Sequence, residues 1–241
     1  MKIEKIVNKI SNYAAMLLLY TVCAGTYMTA KGFVFENGKV SLVSEAKAAT
    51  SEFASPLKKR MVINFSNPHF VGEADAPITI YEYSSFGCTH CADFHLNTLK
   101  KLDEEYIKTG KVKVALVYFP IDKKSMQAAM IASCIPNDEY HNFVDIVFKK
   151  QREWMLSPKA TEILSEYASR YGISKATALE CTKNDIIASE ILGNRQQGAS
   201  DLNITGTPTF MVDDGKVQEV ITGEPSYSDL KKYLDEKLSK I

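Results

Sequence analysis

Pro77-Ile78-Thr79-Ile80-Tyr81-Glu82-Tyr83-Ser84, then Ser85-Phe86-Gly87, then Cys88-Thr89-His90-Cys91 is the stretch that decides the fold. Its first eight residues are rich in β-branched and aromatic side chains, the mark of a short strand. Cys88 opens a helical stretch that runs to about Thr109, with Phe94, Leu99, Leu102 and Tyr106 near helical spacing. Gly110 stands where a glycine C-cap would end it. Val112 to Phe119 is almost wholly apolar and reads as a second, buried strand. Strand, crossover helix and strand make a β-α-β unit, which points to an α/β fold.

Downstream, the pattern from Lys123 to about Ala199 is helical throughout. Breaks fall at Ile135-Pro136-Asn137, Ser157-Pro158 and Tyr171-Gly172, and Ser157-Pro158 reads as an N-cap followed by a proline at the first helical position. β character then returns. Thr209 to Val212 and Val217 to Thr222 are strands joined across the turn sequence Asp213-Asp214-Gly215-Lys216. An amphipathic helix from about Ser226 to Ser239 closes the chain. The two halves of one sheet are thus separated by a helical insert, at about 123–199.

A Cys-x-x-Cys at the start of a helix that follows a strand carries specific chemistry. Unpaired backbone N–H groups and the positive end of the helix dipole converge on the first cysteine. Both favour its thiolate, the attacking species in disulfide exchange. Cys88 is therefore the candidate nucleophile and Cys91 the resolving thiol. His90 between them, as a cation or hydrogen-bond donor, favours the Cys88 thiolate further. A stabilised thiolate stabilises the reduced form, so the disulfide becomes a stronger oxidant. The competing readings are weaker. Zinc commonly takes four ligands from paired clusters, and there is no second Cys-x-x-Cys. A structural bridge across two residues would constrain almost nothing. No metal and no cofactor is expected.

With these pieces in place, the chain resembles the DsbA-like branch of the thioredoxin superfamily, bacterial periplasmic dithiol–disulfide exchange proteins. The resemblance covers about Phe65 to Ile241 and rests on the Cys-x-His-Cys core, the preceding Tyr83-Ser84-Ser85-Phe86, the helical insertion and the Pro208 loop. It implies a thioredoxin fold with an inserted all-helical subdomain. Gly206-Thr207-Pro208-Thr209-Phe210 then lies opposite the cysteines, with a cis peptide bond before Pro208 and the Thr207 backbone free to pair with a substrate peptide. Glu82, six residues before Cys88, takes the place of the family's buried acidic residue, which handles protons beneath the disulfide; Lys113 on the next strand is its candidate partner. The resemblance also implies a second, structural disulfide, Cys134–Cys181, within the insert. Thr89 and Thr207 depart from the archetypal oxidase, which has proline and valine there. Thr207 is closer to the isomerase branch, whose members are oligomers joined by an amino-terminal extension. Oxidase and isomerase remain equally open, with reductase a third option.

The amino end reads as an address. Lys2, Lys5 and Lys9 precede an uncharged run from Ser11 to Ala30, the pattern of a secretory signal or, at this length, a membrane anchor. Cys23 falls inside it and reads as a bystander. Residues 31–64 form an extension with a hairpin pattern around Asn37-Gly38; it is a possible oligomerisation segment. Lys58-Lys59-Arg60 reads as a solvated linker, and His69, His95 and His141 as surface or packing residues. With 29 basic and 29 acidic side chains the net charge is zero, which argues against nucleic acid as a partner. The expected partners are unfolded or misfolded exported proteins and a membrane redox protein, and the expected location is the periplasm. A non-catalytic chaperone or binding module on the same fold is the main alternative, disfavoured because both cysteines are present. A peroxide- or glutathione-using enzyme on the same fold is the second alternative, and the resolving Cys91 argues against a glutathione transferase.

Overall fold

The structure, a computed structural model, describes residues 33–36, 39–42, 53–57, 60 and 69–241. The signal-like run and most of the extension lie outside the described residues. The chain divides into two compact units, 1–53 and 54–241. In the first, β1 (Phe33–Glu36) pairs antiparallel with β2 (Lys39–Leu42), in a register that sets Glu36 opposite Lys39. Asn37-Gly38 falls between these strands and outside the described residues.

The second unit is built on a six-stranded mixed sheet. Its strands are β3 (Ser55–Pro56), β4 (Phe70–Val71), β5 (Ile78–Ser84), β6 (Val112–Tyr118), β7 (Thr209–Asp213) and β8 (Gln218–Thr222), in the order β3-β8-β7-β5-β6-β4. β5 is central, parallel to β6 and antiparallel to β7. The parallel pair is the one joined by a helical crossover, and the antiparallel pair β7–β8 is the one joined by a turn, as connection length dictates. The sheet also draws on residues that the sequence reading assigns to the extension. β3 pairs with β8, and Arg60, read as solvated linker, bonds Asp213 at 2.8 Å. The compact unit runs from Ala54 to Ile241 and so includes residues ahead of the stretch that the resemblance covers.

The crossover α1 (89–107) alternates α turns at Thr89–Asp93 and Leu99–Leu102 with π turns at Phe94–Thr98 and Asp103–Ile107. Gly110 follows with φ of +71°, a left-handed conformation that favours glycine. The insert comprises α2 (Lys123–Ala132), α3 (Tyr140–Lys149), α4 (Gln151–Leu156), α5 (Ala160–Ala168), α6 (Lys175–Cys181) and α7 (Asp185–Asp201). Phe143, Val147, Trp154 and Leu164 are fully buried, so the insert has its own apolar centre, continuous with Phe86 and Cys91 at the sheet. The last helix, α8 (Tyr227–Leu238), falls where its pattern places it and is capped by Ser226, whose side chain accepts from the Asp229 N–H. Ser157-Pro158 does not cap α5. The Ser157 hydroxyl accepts from the Lys159 N–H, closing a turn, and the helical ladder starts only at the Lys159 carbonyl, with Ile163 as donor. Across the described residues no helix is long and apolar enough to cross a membrane.

Candidate active site

Cys88 is the N-cap of α1, with extended backbone at φ −84° and ψ 125°. The tight link from β5 to α1 is held by side chains and main chain together. The Cys88 N–H donates to the Ser85 carbonyl at 3.0 Å, and the Gln151 amide, from α4, donates to the carbonyls of Phe86 and Cys88 at 2.8 Å each. Gly87 is needed for close approach: a Cβ there would lie 2.7 Å from a carboxylate oxygen of Asp122, the N-cap of α2. Both the insert and the sheet thus fix where Cys88 sits.

Cys88 and Cys91 are free thiols, 8% and 0% exposed. The hydrogen bond from the Cys91 thiol holds Cys88 well below the ordinary thiol range. Burial opposes this; the Thr207 side chain and the backbone N–H groups of Cys91 and His90 add to it. Cys91 is pushed far the other way, first by burial, then by the Cys88 thiolate and the nearby Glu82 charge. At neutral pH the pair is therefore a thiolate with a sliver of solvent access and a thiol with none.

The His90 imidazole and the Cys88 thiolate attract each other, as sequence reasoning expects, but Glu224 is the nearer partner of the ring. It is turned outward, 70% exposed, with Nδ1 3.1 Å from Glu224 Oε2. That bond is the first cause of its raised pKa. Residue 90 also gives Cys88 its backbone N–H, the helix-terminus contribution. His90, Asp93 and Glu224 bring possible ligand atoms within 4.8 Å of one another, but all three are exposed and no thiolate completes the set.

Opposite the helix start, the Thr207–Pro208 peptide bond is cis, and the Thr207 carbonyl lies 3.2 Å from Cys88 Sγ, within reach of its proton in the thiol form. The Pro208 carbonyl is taken by Gly223 N–H and the Thr209 hydroxyl bonds the Gly206 carbonyl, so the loop is pinned on either side.

Glu82 lies beneath the pair, 1% exposed, on the face of β5 that registers with Leu116 and Phe210. Burial pushes its carboxyl up to about 7; the Ser84 hydroxyl and His95 pull it back and the Cys88 charge raises it again. Its Oε1 has no hydrogen-bond partner among the described residues. Lys113 is not its partner. Lys113 registers with Thr79, so strand alternation puts it on the opposite face from Glu82, where its Nζ donates to the Ala74 carbonyl at 2.5 Å.

Glu82 links stability to pH with a definite sign. Its folded pKa lies above its ordinary value of 4.5. The stabilisation is thus fully present below pH 4.5 and is lost as pH rises through 7, to an extent of about 3 kcal/mol. Glu82→Gln removes the titration. In urea unfolding of the active-site dithiol form, the variant should gain about 3 kcal/mol on wild type between pH 4 and pH 8. A difference independent of pH would contradict the assignment.

The structure also brings in residues that sequence reasoning missed. Gln151 gave no signal, because nothing in a helical insert marks an amide that reaches back across 63 residues to Cys88. His95 is 7% exposed, with Nε2 2.5 Å from Asp145 Oδ1 on α3. Its position four residues after Cys91, on the buried side of α1, was the available clue. His69 stacks on Tyr140 with ring centroids 3.6 Å apart. Cys134 and Cys181 are joined by a disulfide spanning 47 positions of sequence.

Set beside known proteins, residues 65–236 match a protein-family model described as thioredoxin. A Rickettsia bellii protein whose name places it among the protein-disulfide oxidoreductases is 29% identical over 147 residues, 61% of this chain and 57% of its own length. Disulfide bond formation protein D of Bacillus subtilis is 26% identical over 176 residues, covering 70% of this chain and 76% of the relative. The crystal structure of Wolbachia pipientis alpha-DsbA1 superposes with a TM-score of 0.68 at 27% identity, over 74% of this chain and 94% of that one. BdbD from Bacillus subtilis, oxidised, superposes at 0.63 with 22% identity, a likeness of fold.

Proposed function

The chain belongs to the thioredoxin family, and from that premise we propose that it exchanges thiols and disulfides with other proteins through Cys88 and Cys91. The observation that carries the proposal is the placement of the two cysteines, Cys88 as the N-cap of α1 beside the Thr207 carbonyl and cis-Pro208, and Cys91 sealed from solvent behind it. In the oxidised enzyme a substrate thiolate attacks the Cys88 sulfur. The substrate–Cys88 bond forms, the Cys88–Cys91 bond breaks, and Cys91 leaves with the electron pair and takes a proton from Glu82. A second substrate thiolate then attacks the substrate sulfur of the mixed disulfide. Cys88 departs as the thiolate its surroundings already favour. The substrate is oxidised by two electrons and the pair is reduced.

Stabilising the Cys88 thiolate stabilises the reduced enzyme, which favours net oxidation of substrates. Isomerisation is the second reading, favoured by Thr207 beside Cys88 and by an amino-terminal segment that offers a means of joining two copies. The substrates in either reading are unfolded or misfolded exported proteins, met in the periplasm after delivery by the amino-terminal signal, and a membrane redox protein resets the pair. The test is the refolding of reduced and of scrambled ribonuclease A in separate glutathione buffers. Rapid oxidation of the reduced form, without recovery of the scrambled one, is the expected result. Recovery of the scrambled enzyme would make isomerisation the main activity, and failure in both assays would remove the proposal.

A further inference from the structure

We propose that His95 and Asp145 form the path by which the proton on Glu82 exchanges with solvent, so that His95 is a positioning residue for the departure of Cys91. The inference rests on the reading of Glu82 as proton handler for the Cys88–Cys91 pair.

The need for such a path follows from burial. Cys91 is 0% exposed and Glu82 1%. The side of the pair that does meet solvent is Cys88, and a substrate joined to Cys88 covers it during the step that consumes the Glu82 proton. A carboxyl that gives up a proton each turnover must recover it by another way out.

Three observations place that way along α1 and α3. Glu82 Oε1 and His95 Nδ1 are both buried without a hydrogen-bond partner, the only carboxyl and imidazole so left among the described residues. His95 is bonded on its other nitrogen, Nε2, to Asp145 at 2.5 Å. Asp145 is 60% exposed at the side chain and opens on a surface hollow lined also by Lys100, Asn142 and Lys149. One imidazole therefore has an idle nitrogen inside the core and an engaged nitrogen leading to water. The ring is fixed by Phe148, 4.8 Å away centroid to centroid, which in turn packs 5.1 Å from Phe86. His95 also lies within the π turn at Phe94–Thr98, an irregularity that shifts its side chain relative to a regular helix.

The charged and titratable groups around this path are few. Glu82 faces it from β5, Tyr140 and His141 from α3, and Lys100 bears on Asp145 from α1. The His95 charge favours the Glu82 carboxylate, and the His95 bond holds Asp145 below the usual carboxylate range. In the forward step Cys91 takes the Glu82 proton, Glu82 recovers one from His95 across a water that spans the gap between their two unpartnered atoms, and His95 recovers one from solvent at the Asp145 end. The reverse step sends one proton out the same way. No redox partner beyond the substrate thiol or disulfide is required.

The test is the rate at which dithiothreitol reduces the oxidised protein, followed by rapid mixing across pH 5 to 9 in wild type, H95Q, D145N, E82Q and E82Q/H95Q. H95Q should slow the reaction about tenfold near neutral pH and flatten its pH profile, with D145N between it and wild type. E82Q/H95Q should be no slower than E82Q, since the path serves Glu82 alone. Lys113→Met, altered on the far face of the sheet, should match wild type. Asp145 is surface-exposed, so D145N carries the test if H95Q folds poorly. Wild-type profiles in both H95Q and D145N, or an H95Q effect that persists undiminished in the E82Q background, overturn the inference while leaving the role of Glu82 standing. An E82Q profile identical to wild type overturns the role of Glu82, and the inference with it.

Discussion

Serine at position 88 is expected to abolish exchange, lowering the rate by more than roughly a thousandfold, whereas serine at position 91 should leave attack intact and stall the enzyme afterwards. The asymmetry follows from the site. Cys88 alone combines solvent access with a thiolate held by the Cys91 thiol, Thr207 and two backbone N–H groups. A serine hydroxyl in that setting is neither ionised nor reactive toward sulfur. Cys91 is sealed from solvent, so it meets a disulfide only after Cys88 has formed one. In Cys91→Ser the mixed disulfide has no internal resolving group and should accumulate, visible as a covalent adduct by intact mass and cleared by reductant. Cys91→Ala, which has no donor, loses the first of the interactions that hold Cys88 down, so in that variant the pH at which Cys88 becomes alkylated by iodoacetamide should move upward. If Cys91→Ser turned over as fast as wild type, Cys88 would be acting alone and the two-cysteine mechanism would be wrong.

The parts of this site that were legible in sequence are those whose signal is local. Strand pattern, Cys-x-x-Cys, the following helical spacing and the second strand all lie between Pro77 and Phe119, and together they fix the nucleophile, the resolving thiol and the β-α-β frame. The Thr207–Pro208 loop and Glu82 needed the family resemblance, because a lone Thr-Pro or a glutamate in a strand has no chemistry until a fold brings it to the cysteines. Errors arose where geometry decides between neighbours. Lys113 looked like a partner for Glu82 because it lies on the next strand, but a period of two residues sends it to the other face. His90 acts on Cys88 through its charge, as its type suggests, but its ring is held by Glu224 and its backbone N–H contributes as well, which composition does not show. Gln151 and Asp145 were silent because each reaches the site from the insert, through contacts that no spacing rule encodes.

That dependence on the insert makes the Cys134–Cys181 bridge the second large lever. Replacing both cysteines by alanine should lower unfolding stability by about 4 kcal/mol, the chain-entropy value for a closed loop spanning 47 positions. Alanine avoids placing a hydroxyl at Cys181, which is 7% exposed. The variant should still fold, because Phe143, Val147, Trp154 and Leu164 form the centre of the insert without the sulfur atoms. The bridge closes the segment from the end of α2 to the end of α6, and α4 with its Gln151 lies inside that loop. Gln151 is the insert's bond to the Phe86 and Cys88 carbonyls. Loosening the loop should therefore reach the active site before global unfolding. In denaturant just below the midpoint, Cys88 alkylation in the alanine pair should change while the far-ultraviolet spectrum holds, and in wild type the two should change together. A midpoint unchanged by the double replacement would mean that the unfolded chain is already compact across this loop, and that the bridge holds Gln151 without stabilising the fold as a whole.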